Sequence, residues 1–266
     1  SMDAFTFGTR VGPDEAYRFA KGEPIRITTN SKEVNIDRPL DFAAITDHAS
    51  NAAGARICYD QESNAFNSKV CKQFRQPIDL KNIDDVNEIV KKMVKQTGNA
   101  LSSEEVCGKN LKDCITEEKN IWGITQAAAN THNDKSRNCN FSTFIAYEYT
   151  ATPELTKIHR NIIFKNTNVI DIPISADAEP DETILWKRLK SECIDANFNC
   201  DVLAIPHNSN GSNGAMFMLA DWAGQALDET YAQQRIRNEP LVELTQVKGT
   251  SETHPVLSPD DEWANF

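Results

Sequence analysis

Four of the five histidines in the chain stand where a short apolar run begins or ends. They are His48, His159, His207 and His254, whereas His132 lies in a polar stretch. Ligands and catalytic groups of open α/β sheets and barrels collect at such strand ends. Imidazole is also the commonest metal ligand among side chains, and a protein core has little use for so many histidines. The pattern therefore favours a metal site over four separate core or capping histidines.

Carboxylates that could share a metal ion with these imidazoles occur at four positions, Asp3, Asp47, Glu148 and Glu252. Glu148 lies between two tyrosines, which is an unusual setting for a glutamate that is merely solvated. A carboxylate can bridge two cations while imidazoles fill the remaining positions, and such a cluster activates water and screens a phosphoryl charge. The alternatives are that Asp47 caps a turn and that Glu252 is an ordinary loop carboxylate.

The composition limits the class of partner. The formal net charge of −11 argues against a nucleic-acid partner, because phosphates must be neutralised by lysine and arginine. A small anionic substrate is compatible with this charge, since bound divalent cations can reverse the local field. Arg160 and Lys248 could hold such an oxyanion or merely neutralise nearby acids. Mean hydropathy is −0.51 and no apolar run approaches the ~20 residues of a membrane span, so we expect no membrane insertion. The oligomeric state is not predicted.

The chain contains seven cysteines and no Cys-x-x-Cys pair, which argues against a zinc ribbon. Cys107 and Cys114 have the same spacing as Cys193 and Cys200, and both loops could close as disulfides. Disulfides would indicate a periplasmic or exported protein. The alternative is a cytoplasmic protein whose cysteines are reduced, small and buried. An odd total leaves at least one thiol outside any intramolecular pairing.

The hydrophobic pattern predicts an α/β protein with an interruption. Residues 55–140 are polar and rich in cysteine, with a helical stripe at 83–94, and are interpreted as a helical insertion. Residues 1–54 and 141–266 alternate strands with helices, which favours a parallel sheet or barrel. Expected elements include a strand at 40–46 covered on both faces, a helix at 220–235 and a strand at 241–247.

Several segments together resemble one bacterial family, the domain of unknown function 3604, which is a branch of the polymerase and histidinol phosphatase (PHP) metallohydrolases. They are Asp41-Phe-Ala-Ala-Ile-Thr-Asp-His48, Tyr147-Glu-Tyr-Thr150, His159-Arg-Asn161, Ile205-Pro-His-Asn-Ser-Asn210 and Glu239-Pro-Leu-Val-Glu-Leu-Thr-Gln-Val-Lys-Gly249 followed by Ser251-Glu252. The resemblance implies a distorted seven-stranded β/α barrel with one to three divalent ions, zinc, manganese or iron, at the strand ends.

By the same resemblance, Glu148 is the bridging carboxylate and completes one metal site with His159 and His207. Asp3 and His48 belong to a third site. They are only two ligands, so a further ligand would have to come from Asp47, Glu252 or His254. The groups expected to face substrate or to support the ligands are Asn208, Arg160 and Lys248.

The chain departs from the family pattern at both ends. It lacks the family's His-x-His-Thr motif and its late Ser-Asp-Thr-His segment, so we expect a central portion of a longer protein. The barrel and the metal cluster are then expected to be incomplete. The implied activity is hydrolysis of phosphoesters or related oxyanion esters through a metal-activated hydroxide. The alternatives are a non-catalytic metal- or ligand-binding fragment and a metal-dependent deacylase.

Overall fold

A computed structural model describes residues 9–28, 30–76, 99–153, 156–176, 181–196, 198–209, 211–246 and 249–250. The chain divides into two compact units. The first unit is Ser1–Thr143 with Asp171–Pro173, and the second is Phe144–Ile170 with Ile174–Phe266. The stretch predicted as an insertion falls within the first unit, and its predicted boundaries at 55 and 140 stay a prediction.

Helices are the main regular structure of the described first unit. They are α1 (Pro13–Ala20), α2 (Ala52–Tyr59), α3 (Lys69–Phe74), α4 (Glu104–Cys107) and α5 (Lys112–His132), with 3-10 turns at Asn99–Ser102 and Lys109–Leu111. Its strands form two small sheets, β1 (Ile25–Arg26) with β2 (Glu33–Val34), and β3 (Phe42–Ala44) with β4 (Ser142–Phe144). Proline at the first helical position of α1 is preorganised for a helix start, and the Glu15 carboxylate accepts the Gly12 N–H at 3.0 Å.

Two disulfides hold the helices of the first unit together. Cys58–Cys71 joins α2 to α3, and Cys107–Cys114 joins α4 to α5. Three of these four cysteines are fully buried in one apolar cluster with Leu101. A side chain on Gly54 would lie 2.1 Å from the Leu101 carbonyl oxygen, so only glycine permits this close approach. The pairing predicted from the seven-residue spacing is confirmed for Cys107–Cys114.

The second unit contains a three-stranded sheet in the order β5 (Ala146–Tyr149), β6 (Arg160–Phe164), β7 (Val202–Pro206). A further pair consists of β8 (Thr245–Gln246) and β9 (Gly249–Thr250). The helices are α6 (Glu182–Leu189), which a π-helical turn continues at Lys190–Ile194, and α7 (Glu229–Asn238), with a 3-10 turn at Ala215–Phe217. Asp181 and Asp228 cap α6 and α7 by accepting backbone N–H groups at 2.7 and 2.8 Å.

The predicted parallel pairing is wrong for this sheet. Both β5 with β6 and β6 with β7 pair antiparallel. Parallel neighbours need a crossover of about a dozen or more residues, and the loop at 150–159 between β5 and β6 is shorter than that. The described strands form separate small sheets and close no barrel, so the mixed α/β class alone is confirmed.

Other predicted elements are shorter than expected. The strand at 40–46 reduces to β3, which is not covered on both faces, because Phe42 is 65% exposed. The helix at 220–235 begins only at α7, after its cap Asp228, and of the strand at 241–247 the structure has β8. The stripe at 83–94 lies outside the described residues. None of the described helices has both the length and the apolar composition needed to cross a bilayer.

The third disulfide, Cys193–Cys200, confirms the second pairing predicted from spacing and ties the turn after α6 to the segment before β7. Cys139 is the free cysteine and is exposed. Replacing Cys193 and Cys200 by serine is expected to lower the free energy of unfolding by about 2–3 kcal/mol, because the unfolded chain loses a closed loop. Denaturant titration measures this, with Cys139→Ser as control within about 0.5 kcal/mol of wild type. Equal stability of both variants would contradict the expectation.

Candidate metal centre

Three predicted ligands, Glu148, His159 and His207, lie together in the second unit. One ligand atom from each lies within 4.8 Å of the corresponding atoms of the other two. Each of the three residues is less than a tenth exposed. A carboxylate with two imidazoles is a donor set that divalent zinc, manganese or iron accepts. This group could therefore hold a metal ion.

The register of the sheet explains why the three side chains share a face. Glu148 pairs with Asn161, and Asn161 pairs with Ile205 on the other side. Residues two apart along a strand point to the same face. His159 lies two positions before Asn161 and His207 lies two positions after Ile205, so both follow the face of Glu148. The backbone N–H of His207 also donates to the His159 carbonyl at 3.1 Å, so the two histidines are direct neighbours where β6 and β7 meet.

The convergence of the three residues is confirmed, but the predicted reason was wrong. We expected three carboxyl ends of parallel strands. In the antiparallel sheet, Glu148 is near the end of β5, His159 precedes β6 and His207 follows β7. These points meet at one edge because neighbouring strands run in opposite directions.

The Glu148 carboxylate divides its two oxygens between the two rings. Its Oε1 lies 2.9 Å from His159 Nδ1, and its Oε2 lies 3.1 Å from His207 Nε2. The Thr150 hydroxyl also donates to Oε1 at 3.0 Å. Each carboxylate oxygen therefore faces a nitrogen of one ring, so the two imidazoles approach the same carboxylate.

The remaining ring nitrogens have partners that the sequence had not singled out. Thr152 Oγ1 lies 2.9 Å from His159 Nε2. His207 Nδ1 hydrogen-bonds the Glu243 carboxylate. Such contacts set the tautomer and orientation of ligand imidazoles. Thr152 and Glu243 have no distinctive spacing from the histidines in the sequence; Glu243 belongs to a segment that resembles the family, but no role followed from that.

A buried lysine lies beside the ligands and was also missed. The Lys157 ammonium donates to the Asn208 side-chain oxygen at 3.4 Å, and both residues are buried. Asn208, predicted to support the ligands or face substrate, directly follows His207 and donates its backbone N–H to Glu243 at 3.3 Å. A cation thus lies next to a site that contains two carboxylates.

Arg160 lies away from this cluster. It alternates with Asn161 along β6, is fully buried, and its Nε donates to Glu239 Oε1 at 2.9 Å. Trp186 and Arg235 donate to the same carboxylate at 3.0 Å each. The pair belongs to the packing of α6 and α7, and the fully buried Arg160 side chain offers no exposed surface to a substrate.

The same network shifts two ionisation equilibria. Burial raises the pKa of Glu182, but the charge of Arg160 and hydrogen bonds from Trp222 and Tyr231 outweigh it and leave the pKa below its usual value. Burial, with the hydrogen bond to Glu182, raises the pKa of Tyr231 to about 12. An ionised Glu182 is therefore the favoured state beside these cations and donors.

The other predicted site residues are placed elsewhere or lie outside the described residues. Asp47 and His48 line a cavity of about 350 Å³ in the first unit, together with Arg10 and Tyr59. The predicted residues outside the described part of the chain are Asp3, Lys248, Glu252 and His254. His132, which was not a predicted ligand, has its ring Nε2 2.8 Å from Asp14 Oδ1 in the first unit.

Comparisons with curated proteins and with solved structures returned no match. The model of one protein family, described as protein of unknown function (DUF3604), matches residues 1–266. The match spans both units and includes Glu148, His159 and His207. The chain therefore belongs to the DUF3604 family.

Proposed function

We propose that this protein is a metal-dependent hydrolase of phosphoesters or related oxyanion esters. The observation that carries the proposal is the buried Glu148, His159 and His207 group, whose ligand atoms lie within 4.8 Å of one another. The relation of the family to PHP metallohydrolases, suggested by the sequence motifs, forms part of the proposal. When bound, a divalent cation supplies positive charge that stabilises a developing oxyanion and makes water nucleophilic at neutral pH.

The chain's own residues supply the ligands and their support. Glu148, His159 and His207 would hold the cation, and three protein ligands is the number typical of catalytic zinc sites. Low exposure of the three side chains strengthens their electrostatic attraction for the ion, because the effective dielectric constant falls away from bulk water.

Lys157 and Asn208 are the groups we assign to recognition of an anionic substrate. The lysine brings a positive charge to the loop that follows β5, and the asparagine holds its ammonium by a hydrogen bond of 3.4 Å. An ammonium fixed in this way attracts an anionic ester and opposes the negative net charge of the chain locally. The substrate-facing role of Lys248 stays a prediction.

The test combines metal content with turnover. Purified protein is analysed for bound zinc, manganese and iron, then treated with a chelator and reloaded with each metal. We expect at least one equivalent per chain, and hydrolysis of an aryl phosphate that chelation removes and metal restores. The variant Lys157→Met tests the substrate role. It should retain the metal but hydrolyse the anionic ester more slowly than wild type.

Other outcomes separate the alternatives. Hydrolysis of aryl carboxylic esters or amides without hydrolysis of phosphoesters would support the deacylase. Stable metal binding with no turnover on either panel would support a non-catalytic metal-binding protein. Absence of metal binding by the reloaded protein would overturn the proposal entirely.

A further inference from the structure

Glu243 contacts His207 through the ring nitrogen that Glu148 does not contact. Its carboxylate hydrogen-bonds His207 Nδ1, and the same oxygen accepts the backbone N–H of Asn208 at 3.3 Å. The backbone N–H of Glu243 donates to the Pro206 carbonyl at 3.0 Å. Three contacts therefore fix this glutamate against the end of β7, immediately beside a metal ligand.

We propose that Glu243 is a positioning residue that makes His207 Nε2 the metal-binding atom. A carboxylate only accepts hydrogen bonds, and a neutral imidazole carries its proton on one nitrogen. With the proton on Nδ1 and directed at Glu243, the lone pair of Nε2 faces Glu148, 3.1 Å away. A carboxylate in this position also increases the basicity of the ligand nitrogen. The inference rests on the metal site of the proposed function.

The second imidazole is supported differently. His159 Nε2 contacts the Thr152 hydroxyl at 2.9 Å, and a hydroxyl can either donate or accept. This contact therefore does not select one tautomer of His159, whereas Glu243 selects one tautomer of His207. Loss of Glu243 is expected to weaken metal binding more than loss of the Thr152 hydroxyl.

The test measures the affinity of the full chain for Zn²⁺ alone, by competition with a chelator of known affinity. We expect about tenfold weaker binding for Glu243→Gln and about 100-fold weaker binding for Glu243→Ala, the range typical of lost outer-shell partners. Thr152→Val should lie closer to wild type. The matched control is Glu192→Gln, which removes an ion pair with Arg188 on the surface of the same unit and should leave the affinity unchanged.

Two further readouts separate positioning from a merely structural role. Thermal unfolding of the metal-free proteins shows whether each variant is folded, and nitrogen-15 NMR of the Zn²⁺-loaded proteins follows the His207 ring. The Nδ1–H resonance should be present in wild type and shifted or lost in Glu243→Ala. Persistence of this signal, with a large loss of metal-free stability, would mean a structural role and overturn the inference.

The affinities also distinguish the two proposals. If wild type binds Zn²⁺ and both Glu243 variants bind it within twofold of wild type, the positioning role is wrong and the metal site stands. If wild type itself fails to bind Zn²⁺, the proposed function and this inference are both wrong.

Discussion

Replacing Glu148 by glutamine is expected to weaken metal binding by Glu148, His159 and His207 severely. Glu148 is the carboxylate that faces both imidazoles, at 2.9 and 3.1 Å. Glutamine preserves the size of the side chain but removes its negative charge, and its amide nitrogen cannot act as a ligand. We expect the Kd for Zn²⁺ to rise by more than about 100-fold, since even outer-shell losses cost 10–100-fold. Metal content after dialysis and chelator competition measure the change.

The control for this experiment is again Glu192→Gln, which changes the net charge of the chain by the same amount at an exposed ion pair. Circular dichroism of the metal-free proteins confirms that both variants are folded. Any hydrolysis of aryl phosphate by wild type should be absent from Glu148→Gln. Retention of a full equivalent of Zn²⁺ by this variant would show that the metal ligands lie elsewhere in the chain.

Replacing Glu239 by alanine is expected to lower the free energy of unfolding by about 3–5 kcal/mol, because it leaves a buried charge without its partner. Glu239 and Arg160 are essentially inaccessible to solvent, and their ion pair is 2.9 Å long. The same substitution removes the hydrogen-bond acceptor of Trp186 and the partner of Arg235. Urea denaturation followed by tryptophan fluorescence measures the loss.

A double-mutant cycle attributes this loss to the pair. Arg160→Met alone should also be destabilising, whereas Arg160→Met with Glu239→Leu should recover part of the stability, because no charge is left buried. The exposed Arg188–Glu192 pair is the comparison, and its removal should cost no more than about 1 kcal/mol. Additive losses in the cycle would mean that the two side chains do not depend on each other.

The residues that could bind metal were identifiable from the sequence because their residue types are uncommon and their neighbours in the sequence follow a recognisable pattern. Histidine is scarce, and His159 and His207 each border a short apolar run. Glu148 stood out by its aromatic neighbours. The equal spacing of Cys107–Cys114 and Cys193–Cys200 also indicated these two disulfides, because a short loop limits the choice of partner, although reduced cysteines stayed an alternative. These are local properties, which the order of residues determines directly.

Local sequence patterns do not predict the direction in which strands pair, nor which residues far apart in the chain come into contact. An apolar run of four or five residues has the same composition whether its neighbour is parallel or antiparallel, so the direction of β6 was mispredicted. Cys58 on α2 pairs with Cys71 on α3, and their separation of thirteen residues carries no distinctive signal in the sequence.

The sequence by itself determined which donors could hold a cation, and the tertiary structure decided how they are oriented. Arg160 and His159 are adjacent in the chain, yet strand alternation directs Arg160 towards Glu239 while His159 joins Glu148. Glu243 lies beside His207 because its backbone N–H donates to the carbonyl of Pro206 at the end of β7. Such contacts depend on residues far apart in the chain, since a hydrogen bond requires atoms to meet in space and adjacency in sequence does not provide that.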